Sequence, residues 1–206
     1  MTTESPTRRP QYLGLILLGA HLLVNMVIND QWPPQWSRDY MFAWGRAGFL
    51  VVSLPLIIRL MGRDAMGLLR SPVPKRPAWE PLLFVVGLLV LRIGWELYRP
   101  SVGESLSRET FRAYVLIAPL NEELLFRALV LGVLLRWDRL PAVPAIAISS
   151  LAFAGIHGEY QLVMALTGGV LYGVAYVRSG GILLPLVLHM LWNSFVFVDW
   201  RALLRG

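Results

Sequence analysis

Cysteine is absent from the 206 residues, which excludes disulfides, thiolate metal sites, thiol nucleophiles and cysteine lipidation. Charge is scarce as well. Charged residues make up 16% of the chain, against roughly 25% in ordinary globular domains. Of the 19 basic residues only one, Lys75, is a lysine. With 56% hydrophobic residues and a mean hydropathy of +0.56, so few charges cannot cover the surface of a water-soluble domain. What is present instead is a series of apolar blocks of the length that crosses a bilayer core, about 17 to 25 residues, separated by short charged segments. The net charge of +6 does not indicate nucleic acid, because the basic residues cap the apolar blocks rather than forming a patch.

The pattern predicts an all-α, polytopic transmembrane bundle of about seven spans, with six or eight as near alternatives. The expected spans are Tyr12 to Ile28, Tyr40 to Met61, Pro81 to Tyr98, Phe111 to Leu135, Pro141 to His157, Tyr160 to Val177 and Gly181 to Trp200. The basic, polar residues 1–10 before the first block could open a signal peptide, but continued insertion downstream favours an uncleaved span. The prolines at 72, 74, 77 and 81 mark a linker. It divides residues 1–80 (two spans and the linker) from residues 81–206 (five spans). With the N-terminus inside, the inner loops hold Arg8, Arg9, Arg63, Arg70, Lys75, Arg76, Arg136, Arg139 and Arg178. The outer side then holds Arg38, Arg99, Arg108, Arg112, Arg201 and Arg205, so the nine-to-six bias favours a cytoplasmic N-terminus.

An ionisable group inside a span is costly and points to function by default. Arg46 and Arg92 lie within snorkelling reach of an interface and are expected to do so. The fourth span is different, because Asn121, Glu122, Glu123 and Arg127 lie within it. Glu123 and Arg127, four residues apart, share a helix face and can pair. Glu122 lies about 100° around the axis from Glu123, so a structural ion pair accounts for one acid and not the other. Two further pairs at the same spacing follow. Phe153 and His157 end the fifth span, and His189 and Asn193 share a face of the seventh. His21 and Asn25 in the first span read as packing. Polar groups from three spans can therefore converge.

At these residues the sequence resembles the CPBP family of intramembrane proteases, also called the ABI or Rce1-like family. Its motifs EExxxR, FxxxH and HxxxN stand here as Glu122-Glu123-Leu-Leu-Phe-Arg127, Phe153-Ala-Gly-Ile-His157 and His189-Met-Leu-Trp-Asn193. Each alone is weak, but their order and their placement in successive spans are specific. The resemblance covers roughly residues 114–198. It implies hydrolysis of a peptide bond in a membrane-anchored protein or peptide, in or beside the bilayer. Glu122 would activate a water with His157, Glu123 would pair with Arg127, and His189 and Asn193 would stabilise the oxyanion. No cofactor is favoured, although Glu122, His157 and His189 would be the ligands of a zinc ion if the enzyme used one. HExxH is absent, and the family's archaeal relatives suggest metal-independent glutamate catalysis. With the N-terminus inside a bacterial plasma membrane, the three motifs meet in the outer half of the bilayer. A substrate would then be a surface-protein tail.

Three other readings stay open at this level: a proton-coupled transporter using Glu and His as a relay, a bis-histidine haem protein using His157 and His189, and a non-catalytic scaffold. No inverted repeat supports the first. Ala165, Gly169 and Gly173, spaced four apart, are expected to be helix packing.

Overall fold

The computed structural model describes residues 80–98, 111–136, 140–157 and 161–199, the short segment 69–71, and isolated positions at 16, 20, 48, 51, 52, 55 and 202. Apart from these isolated positions, the first two expected spans lie outside the described residues, as do most of the proline linker, His21, Asn25 and Arg46. The described residues form helices and turns, with no strand among them.

Helix α1 (Glu80–Tyr98) occupies the third apolar block. Its first-turn acid, Glu80, suits the positive end of the helix dipole. The fourth block is one continuous helical rod over residues 111–136. Its turns widen to a π-helix at Ala113–Ile117, tighten in α2 (Ala118–Glu123), widen again at Leu124–Leu131 and finish in α3 (Gly132–Arg136). Pro119 lacks an N–H and crowds the carbonyl one turn back, and the first π stretch accommodates it. Helix α4 (Ala142–Gly155) starts behind Pro141, whose extended ψ of 151° holds it outside the helix. Helix α5 (Leu162–Ser179) is stopped by Gly180 at φ 79°, a left-handed conformation that glycine adopts without steric cost. Helix α6 (Leu183–Ser194) runs into a 3-10 turn, Phe195–Phe197. Among the described residues α5 is the one helix long and apolar enough to cross a membrane, while α4 and α6 are shorter apolar helices.

Small residues set how closely the helices approach. A Cβ on Gly169 would meet the Ser150 backbone at 3.1 Å, and one on Gly173 would meet Ile146 at 3.0 Å. The stripe on α5 thus packs against α4, as its spacing predicts. Gly169→Val is expected to push α4 and α5 apart and cost roughly 1–3 kcal/mol. Thermal unfolding in detergent measures that cost, and an unchanged midpoint would contradict the close approach. Helix α1 joins through Leu88, which packs with Tyr172, Ala175 and Leu188. Large apolar side chains such as Val90, Val143, Leu151, Val163 and Leu183 face outward, as a lipid-facing surface requires.

The two ends of the bundle are distinct. At one, Arg136 Nη2 and the Tyr176 hydroxyl donate to the Arg70 carbonyl at 2.6 and 3.0 Å. There too the Ser71 and Ile182 amides donate to the carbonyls of Gly180 and Leu69, and Arg178 lies 3.7 Å from Glu80. Arg70, Arg136 and Arg178, three of the basic groups assigned to one side by alternation of the spans, therefore gather together. At the other end the Phe111 and Phe197 rings meet edge to face at 4.9 Å.

One expectation is overturned. Arg92 does not snorkel to an interface. It is buried inside the bundle, paired with the equally buried Glu96 one turn on, and its guanidinium lies 5.5 Å from the Trp192 ring centre. A carboxylate within reach on the same helix face is a nearer partner for the guanidinium than distant water.

Candidate active site

Four helical segments contribute. Glu122 and Glu123 end α2, Arg127 sits in the second π stretch, His157 follows α4, and His189 lies in α6. All but His157, which is partly exposed, are buried. Glu122 Oε2 is faced by two imidazoles, with His189 Nε2 at 3.6 Å and His157 Nε2 at 4.0 Å. The convergence expected of the three spans is present in the fold.

Each ring is aimed by its other nitrogen. His157 Nδ1 donates to the Phe153 carbonyl at 2.8 Å, so the phenylalanine and histidine one turn apart form a backbone-anchored unit. His189 Nδ1 donates to Glu123 Oε1, also at 2.8 Å. Because a carbonyl and a carboxylate only accept, both Nδ1 atoms carry their protons and both Nε2 atoms turn to Glu122.

Glu123 therefore does more than the helical spacing implied. Its Oε2 lies 3.2 Å from Arg127 Nε, while Oε1 holds His189. Arg127 is fully buried. Its guanidinium lies 4.5 Å from the Phe153 ring centre and 5.2 Å from that of Tyr172, and its Nη2 is 3.4 Å from the Gly169 carbonyl. Tyr172 stacks on His189, with ring centres 4.6 Å apart and planes 18° from parallel.

Asn193 makes its side-chain hydrogen bond to a different element. Its Nδ2 donates to the Tyr114 carbonyl at 2.8 Å, bridging α6 to the first π stretch. The two residues that sequence reasoning passed over are Glu96 and Tyr172. Glu96 carried a signal, since Arg92 and Glu96 have the same four-residue spacing as Glu123 and Arg127. Tyr172 carried none, being one of two tyrosines in an apolar helix.

The donor set of Glu122, His157 and His189 is of a kind that zinc accepts. Among the described residues, however, no group of three or more His, Asp or Glu side chains is arranged to hold an ion. His189 Nε2 and His157 Nε2 lie 3.6 and 4.0 Å from the carboxylate, and the reaction below is derived from the side chains alone.

A carboxylate faced by two oriented imidazoles inside an apolar bundle is an arrangement chemically able to bind a water and take its proton. The profile of the Type II CAAX prenyl endopeptidase Rce1-like family matches residues 108–195, so this stretch of the chain is similar to that family. An uncharacterized 24.3 kDa protein of Escherichia coli is 39% identical over 85 residues, covering 39% of this chain and 39% of that protein. The membrane-embedded CAAX protease MroQ of Staphylococcus aureus (strain USA300) is 35% identical over 88 residues, covering 40% of this chain and 36% of that protein. The chain thus spans well under half the length of the curated relatives it matches. No solved structure matches it significantly.

Proposed function

We propose that this chain is an intramembrane endopeptidase that hydrolyses a peptide bond in a membrane-associated protein, with Glu122 as the base that activates water. The observation that carries the reading is the pair of Nε2 atoms directed at Glu122 Oε2 from two other helices, 3.6 and 4.0 Å away. A water resting on these three atoms has the carboxylate to take one hydrogen and an Nε2 lone pair to accept the other. Glu122 removes the proton as the water oxygen attacks the scissile carbonyl carbon. The C–N bond then breaks, and Glu122 returns the proton to the leaving amine.

The oxyanion formed in between needs donors. Asn193 keeps one amide hydrogen beyond the one given to Tyr114. His189 donates from Nε2 once its ring carries both protons. The same geometry disfavours a bis-histidine haem, because the Glu122 carboxylate lies where both Nε2 atoms point.

The reading includes a multi-pass protein of a bacterial plasma membrane with a cytoplasmic N-terminus. The end that gathers Arg70, Arg136 and Arg178 would then face the cytoplasm, and the site would open outward onto a surface-protein tail. Reporter fusions after Arg136 and after His157 test the orientation; the first should report inside and the second outside, and the reverse pattern overturns it.

The activity is tested by comparing membrane-protein termini in cells carrying the wild type and Glu122→Gln. At least one terminus should vanish with Glu122→Gln and persist in wild-type membranes treated with a metal chelator. If no terminus depends on Glu122, the protease reading fails; if the chelator abolishes it, a metal enters the reaction.

A further inference from the structure

We propose that Tyr172 is a positioning residue for the reaction: its ring face sets the orientation of His189 and thereby aims Nε2 at Glu122. This rests on the reading of Glu122 and His189 as the reacting groups, but its first test does not depend on turnover.

The argument starts from what an imidazole needs to hold one orientation. A single hydrogen bond at Nδ1 fixes a point and leaves the ring free to rock about the bond to Glu123. A second constraint has to act on the ring plane. Tyr172 supplies it, lying 18° from parallel at 4.6 Å. The Phe153 ring bounds His189 on another side, edge to face at 5.7 Å, and it meets Tyr172 edge to face at 6.4 Å.

Tyr172 is itself held. It is fully buried, packed with Leu88, Ala175 and Leu188 from three helices. Behind it, α5 carries a glycine one turn back. A Cβ on Gly168 would lie 3.3 Å from Tyr172 Cε2 and 3.6 Å from its hydroxyl oxygen. The ring therefore leans over Gly168, in the direction that helical side chains take. An alanine there would press on it by a few tenths of an ångström.

The ring also touches Arg127, 5.2 Å from its centre. Arg127 and His189 are the two partners of Glu123, so Tyr172 closes the group by contacting both. Its aromatic face suits the guanidinium through cation–π attraction and the imidazole through stacking. An aliphatic side chain of similar volume could fill the space but not hold the plane. Tyr172 touches neither water nor substrate in this scheme and acts only through His189.

The test uses the full chain in lipid bilayers, labelled with 15N-histidine. The chain has three histidines, and His21→Gln and His157→Gln assign the signals. In wild type His189 should show one protonated Nδ1 signal. Tyr172→Phe, which keeps the ring, should preserve that signal. Tyr172→Leu should broaden or split it, and Gly168→Ala should shift it.

His157 is the control. Its Nδ1 is tied to a backbone carbonyl, so its signals should stay in place in all three variants. General loosening of the bundle would move both histidines and overturn the assignment. So would an unchanged His189 signal in Tyr172→Leu. If Tyr172→Leu does not fold, Gly168→Ala carries the decision alone. In cells, processing of the Glu122-dependent terminus should fall roughly ten- to a hundredfold in Tyr172→Leu, the scale of loss from a small misplacement of a reacting group, and recover in Tyr172→Phe. Loss of the His189 effect removes the positioning role; absence of any Glu122-dependent terminus removes the protease reading and leaves the spectroscopic result standing.

Discussion

Arg127→Leu is expected to destabilise the bundle by about 3–5 kcal/mol, the usual cost of removing one partner from a buried ion pair. Arg127 and Glu123 are each fully inside the protein, 3.2 Å apart. Truncating the arginine leaves the carboxylate with the His189 Nδ1–H as its remaining side-chain partner, and it also removes the guanidinium from the Phe153 and Tyr172 rings. Glu123→Leu should cost a comparable amount, since it strands a buried guanidinium and the His189 Nδ1 proton. The double variant should cost less than the sum, because neither charge then remains uncompensated. Chemical unfolding in detergent micelles measures all three. Additive losses would mean the two side chains do not interact, and the central contact of the site would be wrong. Removing both members of Arg92–Glu96 together should likewise be milder than removing Arg92 alone.

Much of this arrangement was legible because charge is scarce in the sequence. Helix positions followed from apolar block lengths, so α1, the rod over residues 111–136, α4, α5 and α6 fall within a few residues of the expected third to seventh spans. Contacts within one helix were legible too, since Glu123–Arg127 obeys helical spacing, as was the face by which Gly169 and Gly173 meet a neighbouring helix. Contacts between helices were not. Nothing in the spacing of the motifs says that His189 bonds Glu123 at 2.8 Å and sits farther from Glu122, or that Asn193 spends a hydrogen on the Tyr114 carbonyl. Such pairings depend on rotation of one helix against another, which side-chain packing decides. The π stretches were illegible for a related reason: a change in helical pitch leaves the apolar pattern intact. Arg92 was misread because distance to an interface was weighed without looking for an acid on the same face.

Among the site residues the two histidines should separate in their effect on turnover. His189→Ala is expected to slow processing of the Glu122-dependent terminus by about a hundred- to a thousandfold, the range for loss of one oxyanion donor. Three contacts hold its ring: the Glu123 hydrogen bond, the Tyr172 stack and the Phe153 edge. Its Nε2 is also the nearer of the two to Glu122. His157→Ala should cost less. His157 is partly exposed and farther from the carboxylate, so a water can take its place beside Glu122 with little reorganisation. Asn193→Ala removes a donor and also cuts the tie to Tyr114, so its loss should appear partly as lower stability and partly as slower turnover. Rate measurements at matched folded fractions separate these. Equal losses for His157→Ala and His189→Ala would mean that both rings hold the water, and the oxyanion donor would then have to be sought at Asn193 and the backbone around it.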